Sequence, residues 1–323
     1  MEKLKTQQEP ILVSGNDKLA FSITVCLLQA GHPVTLCTQE SVKALECINT
    51  HFTDMEYQTF DLLRRENFSI AHRLKSTAHI KAAIAVTGEC LAEKKAVVAE
   101  LEAALSPGAT LAINTESIPL GAIQEGSLHP GRVIGANWVE PAHTTFFLEV
   151  ISTEANGKEL VDAFISRANT SWQKDAYLVT NCGIRAKLLA ALVREACYMI
   201  ENEYASIEDI DRACRNDAGY YLPFAGNFRY MDLMGTNAYG MVMQDLNREL
   251  SKDAHIPRFF QKLIDQGALG MENNQGFYPY QEGDQAYWSG LCRKFSYQIQ
   301  AIISKYPFNY VKSAPAVANV AAT

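Results

Sequence analysis

The sequence predicts an α/β protein in two parts: a doubly wound, mostly parallel sheet over residues 1–182, then an all-helical domain over residues 183–323. Three observations carry this. Short apolar runs alternate with amphipathic stretches through the first half, as strands and crossover helices do. After Cys182-Gly183 the strand-type runs stop and only helical periodicity continues. The chain's 323 residues also exceed what one hydrophobic core holds, since cores stop growing at about 250–300 residues.

The elements follow in order. Ile11-Leu12-Val13-Ser14-Gly15 reads as a buried strand ending in glycine. Residues 18–30 repeat apolar side chains at helical spacing (Leu19, Ile23, Cys26, Leu27), and Gly31 stops that helix. Pro33 to Cys37 is a second strand, which completes a strand–helix–strand unit. Residues 41–74 are polar and read as mostly helical. Further strands are expected at 82–86, 110–113, 132–135 and 147–151, with helices at 92–105 and 158–167. In the second part helices are expected at 184–203, 207–217, 236–250, 257–266 and 284–306, and the Ala/Val/Pro-rich end, 313–323, reads as frayed.

Composition narrows the function classes. A net charge of −7 argues against a large nucleic-acid surface. The run Ile11-Leu12-Val13 is too short for a signal h-region, and no stretch has the length to span a bilayer. The eight cysteines are scattered without metal-ligand spacing, mostly beside aliphatic residues as buried thiols are, which fits a reducing, cytoplasmic compartment.

Three segments then carry a resemblance. The first is Ile11 to Cys37, with Gln29-Ala30-Gly31-His32-Pro33-Val34 closing the first helix. The second runs from Asn114-Thr115-Glu116-Ser117-Ile118 through Arg132-Val133-Ile134-Gly135-Ala136-Asn137-Trp138-Val139-Glu140-Pro141 to Leu148-Glu149-Val150-Ile151. The third holds Met231-Asp232-Leu233 and Gln275-Gly276-Phe277-Tyr278-Pro279-Tyr280. In order and spacing, residues 10–280 resemble the 3-hydroxyacyl-CoA dehydrogenase family, whose second segment reads N-T-S-S-L, R-V-I-G-x-H-F-F-N-P and L-V-E-V-I.

The resemblance implies a Rossmann-type first domain, NAD as cofactor, hydride transfer to or from carbon 3 of an acyl-CoA or related hydroxy acid, and a homodimer formed through the helical domain. It also implies a proton-accepting histidine, a glutamate twelve residues later that orients it, and a serine and an asparagine on the substrate oxygen. Carried over, these positions are Asn137, Glu149, Glu116 (with Ser117 beside it) and Ala186. Only the glutamate is kept, and an amide accepts no proton near neutral pH. The cofactor-facing positions are Gly15, Asn16, Asp17, Lys18, Thr38, Gln39 and Asn114. Asp17 replaces the second fingerprint glycine, Thr38 the ribose acid, and Ala85 a further family glutamate, so the case for NAD is weakened at the residues themselves.

The two readings that follow are a divergent NAD-dependent dehydrogenase and a catalytically inactive relative that binds a nucleotide, an acyl-CoA or a protein. For the first, Glu116 and Glu149 sharing a proton would replace the lost base, since two close carboxylates hold one proton near neutrality. Without its histidine, Glu149 is expected to be poorly paired. The remnant of the family's CoA-holding insert is 52–73, where Arg64, Arg65, Arg73 and the adjoining Lys75 read as a solvated charged face. His143 reads as a loop histidine, and Lys187 as a basic residue at the domain boundary. Tyr220, Tyr221, Phe224, Phe228 and Tyr230 read as core or subunit contact. Tyr287, Trp288, Leu291 and Phe295 form an apolar helix face.

Overall fold

Alternation sets the first layers. In β1 (Ile11–Ser14), Ile11 and Val13 face one side of the sheet and Leu12 the other, and all three are buried, as a strand covered on both faces requires. A computed structural model describes residues 8–55, 67–74, 79–306 and 308. Arg64, Arg65, Lys75 and the 313–323 tail lie outside the described residues.

The remaining elements of the first half are α1 (Lys18–Gln29), β2 (Val34–Cys37), α2 (Ser41–Asp54), β3 (Phe68–Ala71), β4 (Ala82–Ala85), α3 (Leu91–Ala104), β5 (Thr110–Ile113), α4 (Leu120–Gln124), β6 (Val133–Asn137), β7 (Glu149–Ser152), α5 (Lys158–Ser171) and β8 (Tyr177–Thr180). Their eight strands form one sheet in the order β3-β2-β1-β4-β5-β6-β7-β8. Every pairing is parallel except β6 with β7. The order reverses between β1 and β4, the switch point at which a doubly wound sheet opens a crevice.

Two apolar layers hold the sheet. One packs Phe21, Leu27, Ile48, Phe164 and Trp172 against Ile11, Val13 and Trp138. The other packs Val98, Leu101 and Ile123 against Leu12, Ala83 and Leu111. At about 25 cal/mol per Å², this burial is the main force holding the unit.

The two sheet edges depart from expectation. Residues 41–74, expected mostly helical, include helix α2 (Ser41–Asp54), but Phe68–Ala71 is a strand paired to β2. β8 was not expected. Both are edge strands and only partly buried: β3 is a short alternation with Phe68 and Ile70 on one face, and β8 is the brief run Tyr177-Leu178-Val179 that follows the charged Lys174-Asp175. The strand expected at 147–151 begins two residues later, at Glu149. The cysteines also correct the composition reading: all eight are free, yet only Cys26 and Cys197 are buried, and Cys90 and Cys292 are exposed.

The chain divides into two compact units, Met1–Leu189 and Ala190–Thr323. Helix α6 (Arg185–Glu201) leads from one into the other. The second unit contains α7 (Ile207–Ala213), a π turn (Cys214–Ala218), α8 (Gly219–Met234), α9 (Thr236–Leu246), α10 (Arg258–Asp265) and α11 (Asp284–Ile303). Ser206 and Asp209 form a reciprocal capping box on α7. α8 was not expected, because Pro223 and Gly226 interrupt its pattern, and Gly226 does break the helix at φ 65°. Tyr221 and Tyr230 stack at 3.9 Å, but Tyr220 and Phe228 are 83% and 80% exposed, so these two are not core residues. Tyr287, Trp288, Leu291 and Phe295 on α11 are exposed as well.

Candidate active site

The twelve-residue spacing between Asn137 and Glu149 becomes geometry through one antiparallel pairing. β6 ends at Asn137, the loop turns back, and β7 begins at Glu149 directly opposite it in register. Both side chains are 0% exposed. Asn137 Nδ2 donates to Glu149 Oε1 at 3.0 Å and to the Thr115 carbonyl at 2.8 Å, while its Oδ1 accepts from the Thr115 amide at 2.7 Å. The side-chain amide thus extends the β5–β6 ladder by one rung, and both its ends are committed. Asn114 does the same one strand over: its amide exchanges two hydrogen bonds with the Thr87 backbone.

Glu149 is well paired, contrary to expectation. Besides Asn137, it accepts from the Tyr177 hydroxyl (3.2 Å) and from the amides of Ile184 (2.7 Å) and Arg185 (3.2 Å). Those amides open α6, whose positive end favours an anion. Burial, then the Glu149 charge and hydrogen bond, push the Tyr177 phenol up. Gly183 lets the chain pass this close: a Cβ there would lie 2.2 Å from Glu149 Oε1 and 3.0 Å from Asn137 Nδ2.

Glu116 and Glu149 are both near Arg185 but are held separately. Arg185 Nη1 donates to Glu116 Oε1 at 2.9 Å, and its guanidinium lies 5.9 Å from the Phe147 ring. No hydrogen bond joins the two carboxylates among the described residues. Ser117 turns away to Glu89, whose Oε1 accepts from the amides of Glu116, Ser117 and Ile118 and from the Ser117 hydroxyl. Lys94, fully buried, pairs with Glu89 Oε2 at 3.1 Å and donates to Thr87 Oγ1 and the Asn114 carbonyl. Glu89 is held at lowered pKa; its burial opposes the shift, and the Ser117 and Ile118 amides and Lys94 outweigh it.

Four residues of this network were not singled out as site positions from the sequence. Gly183 was read only as the start of the helical domain, and Tyr177 carries no motif. Glu89 and Lys94 sit five apart just after a strand, a spacing that places both at the sheet's carboxyl edge. Of the other candidates, Ala186 is half-buried, and Lys187 and Arg73 are exposed. His143 is buried against His51, ring centroids 4.4 Å apart, and burial, with the His51 and Lys174 charges, lowers its pKa to about 3. A histidine so held is a poor base near neutrality.

A second group surrounds the switch point. Gly15 is required by space: a Cβ would lie 2.7 Å from Ala20 Cβ and 3.0 Å from the Val86 carbonyl. Asp17 caps α1, accepting from the Ala20 amide at 2.9 Å. Asn16 Oδ1 accepts from the Thr38 hydroxyl (2.9 Å) and the Gln39 amide (2.8 Å). Gln39 Nε2 donates to the His72 carbonyl at 2.6 Å. Lys18 is exposed. The turn therefore has the shape a dinucleotide needs, but its residues do not fit one. A carboxylate stands at the helix end where a diphosphate would lie, and Ala85 is buried within β4 with no acid in its place.

A doubly wound sheet with a polar cluster at its carboxyl edge, followed by a helical unit, defines a two-domain protein of dehydrogenase architecture. The chain belongs to the 3-hydroxyacyl-CoA dehydrogenase family: residues 11–182 match that family's NAD binding domain and residues 184–280 its C-terminal domain. It is 28% identical over 204 residues to the fatty acid oxidation complex subunit alpha of Vibrio campbellii, a match covering 62% of this chain and 28% of that one. It is also 28% identical over 204 residues to a 3-hydroxybutyryl-CoA dehydrogenase of Mycobacterium tuberculosis, covering 59% of this chain and 69% of that one. The match thus spans little more than a quarter of the Vibrio subunit. In fold it is similar to 5-formyl-3-hydroxy-2-methylpyridine 4-carboxylic acid 5-dehydrogenase, described as an NAD+-dependent dismutase. That comparison gives a TM-score of 0.84 at 17% identity, over 93% of this chain and 99% of that one. Among the described residues no helix is long and apolar enough to cross a membrane.

Proposed function

We propose that this chain keeps the family scaffold as a binding module for a small acyl-thioester or hydroxy-acid ligand and does not carry out, at the 137/149 pair, the proton transfer that must accompany hydride transfer. The ligand class follows from family membership. The observation that carries the loss of chemistry is Asn137: it is an amide where the resemblance implies a proton acceptor, it is fully buried, and both ends are bonded to Thr115 and Glu149. An amide so committed neither takes the alcohol proton nor turns toward a substrate.

The test is turnover of acetoacetyl-CoA with millimolar NADH by the purified full chain. The expected result is no rate above background. A rate near the ordinary enzyme median, about 10 s⁻¹, would overturn the reading. A second reading, dehydrogenase activity with Glu116 as the base, is favoured by one observation: Glu116 Oε2 is buried without a hydrogen bond. It requires turnover by the wild type that Glu116→Gln abolishes.

The helical unit is proposed to pair with a second copy of the chain. What supports this is apolar exposure: Phe228 and Leu233 on α8, and Met241 and Val242 on α9, are all at least half exposed. Large apolar side chains left exposed on two successive helices are what an interface between copies would bury. Light scattering on the eluting protein is expected to give about twice 35.8 kDa. The pair Phe228→Glu and Met241→Glu should shift it to the single-chain mass; an unaffected dimer would place the contact elsewhere.

A further inference from the structure

We infer that the chain's own Asp17 fills the anion place of the switch-point crevice, so that the crevice discriminates against diphosphate-bearing dinucleotides. Three separate contacts lead here. The Asp17 carboxylate already holds the Ala20 amide, one of the donors that a helix N-terminus offers to phosphate. Gly15 has no room for a side chain, since a Cβ there would meet Ala20 and the Val86 carbonyl, so the turn packs directly against the start of α1 and the residue that follows β4. Beyond the turn, Thr38 is buried, its hydroxyl donating to Asn16 and accepting from the Glu40 amide. The end of β2 therefore presents a closed set of neutral bonds where a ribose would need a carboxylate.

The loop is also tied down on its far side. Gln39 is bonded to the His72 carbonyl, and the His72 ring contacts the Thr38 carbonyl at 3.2 Å. A dinucleotide entering here meets the Asp17 charge at the diphosphate and no carboxylate at position 38, the exposed Glu40 standing two residues further on. Lys18, exposed beside Asp17, offsets part of the charge but brings no hydrogen bond to the turn. This inference concerns binding and stands apart from the loss of the proton relay. Tight NADH binding would sink it and leave that reading in place.

The experiment is a calorimetric titration of the full chain with NADH and, in parallel, with adenosine, for the wild type, Asp17→Asn and Asp17→Gly. Asparagine caps a helix as well as aspartate does, so Asp17→Asn keeps the Ala20 bond and removes only the charge. Wild type is expected to show no saturation at millimolar NADH. Asp17→Asn should bind NADH at least about tenfold tighter. That gap should narrow in high salt, and adenosine should bind the two proteins alike. Asp17→Gly should move the same way, and a thermal melt of each variant confirms that it is folded. Micromolar NADH binding by the wild type, or the same NADH affinity in wild type and Asp17→Asn, would overturn the inference.

Discussion

Glu149→Ala is expected to destabilise the first unit by about 3–5 kcal/mol, the range seen when one partner is removed from a buried charged network. The carboxylate serves four donors: Asn137 Nδ2, the Tyr177 hydroxyl and the amides of Ile184 and Arg185. Each buried donor left unpaired costs about 1–3 kcal/mol. The total falls short of their sum because Ile184 is exposed and its amide regains water. In a unit of this size the melting temperature should drop by about 10 °C or more. Glu149→Gln should fall between the two, since its NH₂ group faces donors.

Gly183→Ala tests the same contact from the other side. Its methyl would meet Glu149 Oε1 at 2.2 Å, so alone it should cost about 1–3 kcal/mol, as overpacking does. In the Glu149→Ala background the obstructing oxygen is gone, and the methyl fits once Asn137 Nδ2, 3.0 Å away, gives by a few tenths of an ångström. The double variant should then be no less stable than Glu149→Ala, a coupling of about 1–3 kcal/mol. Strict additivity, or loss of less than about 1 kcal/mol in Glu149→Ala, would show that the network does not hold the start of α6.

These contacts explain which parts of the molecule were legible in the sequence. The inner strands were, because Ile11-Leu12-Val13 and Ala82-Ala83-Ile84 are buried on both faces and leave unbroken apolar runs. β3 and β8 were not, because each is only four residues long, lies at a sheet edge and is partly exposed, which leaves too short a pattern to separate from its polar surroundings. At the site, the spacing of Asn137 and Glu149 could be read, and the register pairs them. Their partners could not. Tyr177 comes from an unexpected strand, and Gly183 matters only because of what lies 2.2 Å from its missing Cβ.

The charge logic was legible only in part. Asp17 at the fingerprint is visible as a letter, and the structure adds that its carboxylate is engaged with Ala20. Glu116, expected to share a proton with Glu149, instead finds Arg185. Both partners are about one-third exposed, so this pair contributes little stability, on the order of 0–1 kcal/mol, and its effect is on which groups face the ligand side. A sequence gives the residue types; which donor each carboxylate meets depends on long-range packing that no local pattern encodes.

Between pH 7 and pH 5 the first unit is expected to lose about 2 kcal/mol of stability through His143, on a scale of 1.36 kcal/mol per pKa unit. The unfolded chain binds this proton near the ordinary value of 6.5, while the folded ring, buried beside His51 and Lys174, binds it only near 3. Below pH 6.5 the unfolded state therefore holds the extra proton, and each further step down favours it until about pH 3. The stability is fully present above 6.5 and is lost on acidification. His32 adds to the same trend: burial lowers its pKa, and its ring accepts from Trp172 Nε1 only when that nitrogen is unprotonated. The carboxylates of Glu9, Glu89 and Glu102 are held below 4.5, so their contribution fades only in stronger acid and leaves the window to the histidines. Urea unfolding at pH 7 and pH 5 measures the difference, and His143→Gln should shrink it to the share of His32. An unchanged difference in that variant would mean that the buried ring is not what makes the fold sensitive to acid.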